Sequence, residues 1–181
     1  SNACRLDRRP WLSVHAAGGV RNAIVVIDGE PSSSKTAVNR LGDCEAEPAI
    51  VTLPPGADLD VVNSDRRPAE VTQAGPRGAK RHLPMRVLGQ RMRVRGLGEG
   101  LWTVDVGADR GAGYVHRSAP NRRAAITDDR GRARFSSVAP GSHTARIIHP
   151  PVKPGGAPIE AEVTVEVVAN ETAKASVSLA R

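Results

Sequence analysis

The residues of this sequence best suited to soft-metal chemistry are His82, Met85, Met92 and His116, because imidazole and thioether are donors that suit Cu(I). The stretch from Gln73 to Arg95 carries a second set, the cations Arg77, Lys80, Arg81, Arg86, Arg91, Arg93 and Arg95 with no acid among them. That is the make-up of an anion-binding face. Cys4 and Cys44 are the only cysteines. Joined, they would close a loop of about 40 residues and contribute ~4 kcal/mol by the chain-entropy relation; a lipid on Cys4 is the competing use. Asp128 and Asp129 are adjacent carboxylates, and Gly29 to Thr36 ends in Lys-Thr as phosphate-binding loops do.

Each set also has a plainer reading. Met85 and Met92 alternate with polar residues as inward-facing strand positions do. The aspartate pair precedes Arg130-Gly131, which is turn chemistry. In the Lys35-Thr36 run, Ser34 stands where a phosphate loop needs glycine, and no helix-forming run follows. The five histidines (15, 82, 116, 143 and 149) fall on different expected elements, and none has an acid at a motif spacing. With no nucleophile elbow and no zinc-spaced cluster, hydrolase, transferase and oxidoreductase readings lack carriers, and a non-enzyme is expected.

The elements that must position these residues are short and extended. Across 181 residues Gly and Pro are abundant and Val is the main core residue, while helical periodicity is nearly absent, so the fold class expected is all-β. No apolar run approaches the ~18 residues of a membrane span. The net charge of +7 suits nucleic acid, anionic lipid or acidic polymer as partner, although arginine spread over solvated faces accounts for most of such a balance. A single-strand nucleic-acid reader needs aromatic platforms, and Trp11, Trp102, Tyr114 and Phe135 do not interleave with the charges. Nucleic acid is therefore excluded as the dedicated partner. Expected strands are Val20–Asp28, a hairpin of 49–53 and 58–63 across Pro54-Pro55-Gly56, Leu101–Val106, Tyr114–His116, a hairpin of 124–127 and 132–136 across Asp128–Gly131, then Ser142–His149. A closing hairpin of 159–168 and 173–179 follows. Ser1-Asn2-Ala3 reads as the remnant of an expression tag and is left out.

One segment, LWTVDVGADRGAGYVHR from Leu101 to Arg117, resembles the copper loop of periplasmic cupredoxins of the plastocyanin and methylamine-utilisation type. In those proteins it runs Cys-Asp-x-Gly-His-x-x-Met-x-Ala-Tyr-Val. Here Asp105, Gly107, Tyr114 and Val115 match, and the three ligands fall on Val104, Ala108 and Gly111. Asn63-Ser64-Asp65 is similar to the family's Asn-x-Asp, which places the first ligand histidine at Ala69 and the following asparagine at Glu70. Gly42-Asp43-Cys44 through Pro48-Ala49 is similar to its Gly-Cys-x-x-x-Pro-His, with Ala49 for the histidine. The resemblance implies a Greek-key sandwich over 4–118, a connecting hairpin from Leu83 to Val94, and a Cys4–Cys44 disulfide. It also implies a copper site whose donors at Ala69, Val104, Ala108 and Gly111 are gone.

The last third, 119–181, reads Thr-Asp-x-x-Gly (Thr127 to Gly131) and Val-x-Pro-Gly (Val138 to Gly141), similar to the carboxypeptidase regulatory-like, transthyretin-like β-sandwich. That module opens on a strand of the kind seen at 20–28, so this strand is a candidate for sharing with the C-terminal part. Together the resemblances imply a metal-free binding or scaffold protein, periplasmic, secreted or on the cell envelope. Its basic face would meet an anionic envelope component or an acidic protein, with a membrane reached only through lipid on Cys4. The alternative is a copper or electron-transfer protein with ligands relocated to His82, Met85, Met92 and His116.

Overall fold

The computed structural model describes residues 14–16, 18–31, 33–42, 45–106, 109–153 and 155–179. Among them the strands are β1 (Ile24–Asp28), β2 (Thr36–Gly42), β3 (Glu45–Glu47), β4 (Ile50–Leu53), β5 (Asp58–Asn63), β6 (Ala69–Ala74) and β7 (Lys80–Met85). They continue with β8 (Arg91–Val94), β9 (Gly100–Val106), β10 (Asp109–Arg117), β11 (Arg122–Ile126), β12 (Gly141–His149) and β13 (Ile159–Val167). A 3₁₀ turn, Pro76–Gly78, joins β6 to β7, and no helix among the described residues is long and apolar enough to cross a membrane. The protein is all-β, as the Val-rich runs and turn residues require. It divides into two units, one of residues 33–119 and one of residues 14–31 with 120–179.

The first unit is a sandwich of a four-stranded sheet, β3-β2-β5-β8, and a five-stranded sheet, β4-β10-β9-β6-β7. The period-2 pattern of the strands puts Leu41, Leu59, Val61 and Val94 from one sheet against Val71, Leu83, Met85, Trp102, Val104 and Val115 from the other. Most neighbours are antiparallel; β2 with β5 and β4 with β10 run parallel. Those parallel pairs arise because two expected hairpins do not form. At Pro54-Pro55-Gly56 the chain, pinned by Ala57 N–H donating to the Pro54 carbonyl at 3.2 Å, crosses from one sheet to the other. The stretch from Leu83 to Val94 crosses in the same way, since β7 pairs with β6 and β8 with β5. On β10 both faces are covered: Val115 points into the core, while Tyr114 and His116, of opposite parity, are buried as well.

The second unit is one antiparallel sheet in the order β11-β1-β12-β13. Strand β1 lies between β11 and β12, with Ile24 opposite both Ile126 and Ile148. Ala23, Ile27, Ala145 and Ile147 form the core on one face, covered by Phe135, Val138 and Leu179 from outside the ladders. Two expected strands are absent. Residues 132–136 leave the sheet after the Asp128–Arg132 turn, because Phe135 packs inward while the Arg123 guanidinium stacks 5.4 Å from its ring centroid. Residues 173–179 form no ladder and touch the core through Leu179.

Candidate functional site

Of the positions matching the cupredoxin ligands, Ala69, Val104 and Gly111 fall on strands β6, β9 and β10 of one sheet. Ala69 opens β6 and pairs with Met85 of β7. Val104, where the resemblance puts the thiolate, is fully buried on β9, with Gln73 of β6 and Gly113 of β10 as ladder neighbours. Ala108 lies outside the described residues, and Gly111 falls where the β9–β10 ladder slips between Asp109 and Gly113. Neither methyl nor isopropyl can donate to a metal, so Ala69 and Val104 supply packing there. Gln73, like Asn39 and Asn63, is a polar residue buried in the first unit. It is fully buried, and among the described residues neither its Oε1 nor its Nε2 has a hydrogen-bond partner.

Asn63, singled out above with Asp65, is a buried tie. Its Nδ2 donates to the carbonyls of Arg67 at 3.4 Å and Val87 at 3.2 Å, and its Oδ1 accepts from Asp65 N–H at 2.9 Å. Gly89 N–H donates to its carbonyl at 2.7 Å, so the 63–67 loop and the 87–90 turn are knitted together.

The four relocated-ligand candidates are not gathered. His82 and Met85 differ in parity on β7, so His82 is exposed and Met85 is buried in the core. Met92 packs against that core from β8, in the other sheet. His116 shares the outer face with His82, but β9 and β6 lie between β10 and β7, a separation of about 14 Å across the ladders alone. The His82 ring meets Thr72, Oγ1 to Nδ1 at 3.2 Å. Among the described residues no group of three or more His, Cys, Asp or Glu is placed to hold a metal. Cys4 and Cys44 both lie outside the described residues, as does the lipid-or-disulfide question they pose.

The 77–95 cations also separate. Arg93 on β8 is the cross-strand partner of Asp60 on β5, and its Nε and Nη2 donate to the two carboxylate oxygens at 2.8 and 3.2 Å. Arg91 approaches the same carboxylate at 3.5 Å, and Arg95 reaches Asp58 at 3.7 Å. Asp60 is only 2 % exposed, and the Arg93 hydrogen bonds hold its carboxyl below the usual range against the opposing effect of burial. Arg81 donates to the Gly96 carbonyl at 3.0 Å, Arg77 stands on the 3₁₀ turn at φ 58°, and Lys80 and Arg86 are exposed. Three of the seven cations, Arg91, Arg93 and Arg95, thus meet the protein's own carboxylates.

A second basic surface, in the other unit, escaped the sequence reading. A cavity of about 540 Å³ is lined by Arg21, Asp128, Asp129, Arg130, Arg132 and Arg134 among others. The Asp128–Gly131 turn expected from sequence is present, with Gly131 N–H donating to the Asp128 carbonyl at 2.9 Å. The Asp128 side chain accepts the backbone N–H of Arg132 at 2.9 Å and of Arg130 at 2.8 Å, and these bonds, the Arg132 one first, hold its carboxyl below the usual range. Asp129 pairs with Arg21 at 3.0 Å. The available signal was the alternation of arginine at 130, 132 and 134, which the strand expectation for 132–136 absorbed.

No family model matches the chain, and no curated protein does. Among solved structures it is similar to a novel purple cupredoxin from Nitrosopumilus maritimus, at 17 % identity and TM-score 0.38 over 47 % of this chain and 100 % of that one. It is also similar to the Cu-containing nitrite reductase (NirK) from Thermus scotoductus SA-01, at 14 % identity and TM-score 0.41, over 47 % of this chain and 23 % of the reductase. Both are loose likenesses.

Proposed function

We propose that residues 33–119 are a cupredoxin-type sandwich working without copper, and that the protein is a non-catalytic binding or scaffold module of the bacterial envelope whose basic surface faces an anionic partner. The carrying observation is Val104. The position that would need a thiolate holds a fully buried isopropyl group packed among Val71, Trp102 and Val115, and Ala69 contributes only a methyl. A blue-copper centre requires thiolate and imidazole donors, and the residues present do not fit that ion. The C-terminal unit, with its Thr127-to-Gly131 turn and β1 recruited into its sheet, reads as a transthyretin-like accessory module. The net charge of +7 favours an acidic partner.

The test is copper titration of the oxidised protein, followed by calorimetry and visible absorbance. No binding at micromolar copper is expected. Stoichiometric binding with a strong visible band refutes the reading, as does binding that vanishes in a His82→Ala, Met85→Ala variant, which would establish a copper carrier with relocated ligands.

A further inference from the structure

We propose that the groove between the Val20–Asn22 turn and the Asp128–Arg134 segment binds a linear phosphate-bearing polyanion, held by Arg130, Arg132 and Arg134 with Arg21 as a fourth cation. The charge bookkeeping of the cavity points there first. Four guanidinium groups stand there against two carboxylates: Asp129 is paired with Arg21, while Asp128 accepts two backbone N–H groups and also feels the charges of Arg132 and Arg130. The side chains of Arg130, Arg132 and Arg134 form no ion pair among the described residues, although all three line the same 540 Å³ space. Guanidinium groups match phosphate oxygens two at a time and stay charged at every physiological pH.

The walls are fixed before any ligand arrives. Thr127 Oγ1 accepts Ala23 N–H at 2.9 Å and donates to the Val20 carbonyl at 2.7 Å, while Thr127 N–H donates to the Ala23 carbonyl at 2.8 Å. The two backbones touch: a Cβ on Gly19 would lie 1.9 Å from the Arg130 carbonyl oxygen, and one on Gly131 would lie 2.5 Å from Val20 N. Gly131 also needs its φ of +72°, so glycine is required there twice over. A site ordered in advance keeps more of its interaction energy as affinity.

Geometry selects the class of ligand. Burial alternates along 132–135, exposed then half-buried, so Arg132 and Arg134 share the solvent side, with Arg130 on the adjoining turn. A row of cations suits a chain of anions. Among the described lining residues no aromatic ring offers a nucleobase a stacking surface, and Ile126, the one aliphatic, is half-buried and does not project toward a bilayer. The ligand class follows the anionic-partner reading above; the site does not depend on the copper question.

The test uses the full chain with medium-length inorganic polyphosphate, orthophosphate and phosphatidylglycerol vesicles, by calorimetry across a salt series. Polyphosphate is expected to bind, more tightly than orthophosphate and more weakly as salt rises. The triple variant Arg130→Gln, Arg132→Gln, Arg134→Gln should weaken it about thirtyfold, roughly threefold per exposed guanidinium, with an unchanged melting curve. Asp129→Asn, which releases Arg21, should tighten binding about threefold, a gain that damaged folding cannot mimic. Replacing Arg77, Lys80, Arg81 and Arg86 by glutamine, which leaves the guanidinium groups of the groove in place, should weaken binding less than the triple variant does. Equal affinity in the triple variant, loss in the 77–86 variant, vesicle binding without polyphosphate binding, or no binding at all overturns the proposal. Copper titration of the same sample reads separately, so failure of the groove and failure of the metal-free sandwich are distinguishable.

Discussion

Gln73 supplies the sharpest test of the packing argument. The side chain is fully buried, with Val104 and Arg81 as its cross-strand neighbours, and neither amide atom has a partner among the described residues. Burying an amide without hydrogen bonds costs about 1–3 kcal/mol on the scale derived from protein mutations. Methionine has nearly the same length and volume and enough torsional freedom to fill the same space. Gln73→Met removes the unpaired amide and adds apolar burial, so a gain of about 2 kcal/mol is expected for the first unit. For a unit of this size that corresponds to roughly 10 °C in melting temperature. The assay is urea unfolding followed by tryptophan fluorescence in a Trp11→Phe background, so that Trp102, in the same core, is the reporter. The midpoint should rise while the slope with denaturant stays constant. A loss of 1 kcal/mol or more refutes the reasoning, because it would mean that the amide is satisfied in solution by a group the core does admit.

Gly75→Ala is expected to destabilise the same unit by about 3 kcal/mol, measured by the same unfolding assay. Its Cβ would lie 2.4 Å from the Trp102 ring, at an ordinary φ of −117°, and displacing that ring strains the 2.9 Å bond from Nε1 to the Gly98 carbonyl. The single tyrosine, Tyr114, should titrate at about 12 in the native protein, raised first by burial and then by Asp105, and near 10 after denaturation. Because the folded value is the higher one, this stabilisation is complete below pH ~10 and lost as pH climbs toward the folded value; ultraviolet tyrosinate absorbance reads one group. Asp60, held low by Arg93, works in the opposite sense. Its stabilisation is present above the unfolded carboxylate value of ~4 and lost as pH falls through the folded one, so Asp60→Asn should flatten the acid limb of urea midpoint against pH.

The all-β class was legible because valine-rich runs of four to nine residues between Gly and Pro turns leave no other period to satisfy. Turn direction was not legible. Pro54-Pro55-Gly56 presents the same residues and the same strand parity whether the chain folds back on its neighbour or crosses to the facing sheet. What decides is the partner of β4, which is β10, some sixty residues away. The 77–95 cluster read as acid-free because its counter-charges, Asp58 and Asp60, precede it by about thirty residues and meet it only through the β5–β8 register. Arg21 and Arg130 to Arg134 are farther apart still, and the β1–β11 ladder, the Gly19–Gly131 contact and the Thr127 bonds bring them to one groove. Local alternation suggested strands at 132–136 and 173–179, yet a ladder also needs a free edge in register, and neither segment takes one.

The place of β1 in its sheet sets a timetable for synthesis. Ile24 to Asp28 pairs on one side with Arg122–Ile126 and on the other with Arg146–Ile148, so about a hundred residues must leave the ribosome before the first of these partners exists. At 5–20 residues per second that is about 5–20 s during which an Ile-Val-Val-Ile run is exposed with both edges open, while the sandwich of residues 33–119 can already close. Such a run is a template for aggregation. A holding factor, or export before folding, would be most needed in that interval, and a nascent chain stalled shortly after residue 119 should be the species that such a factor retains.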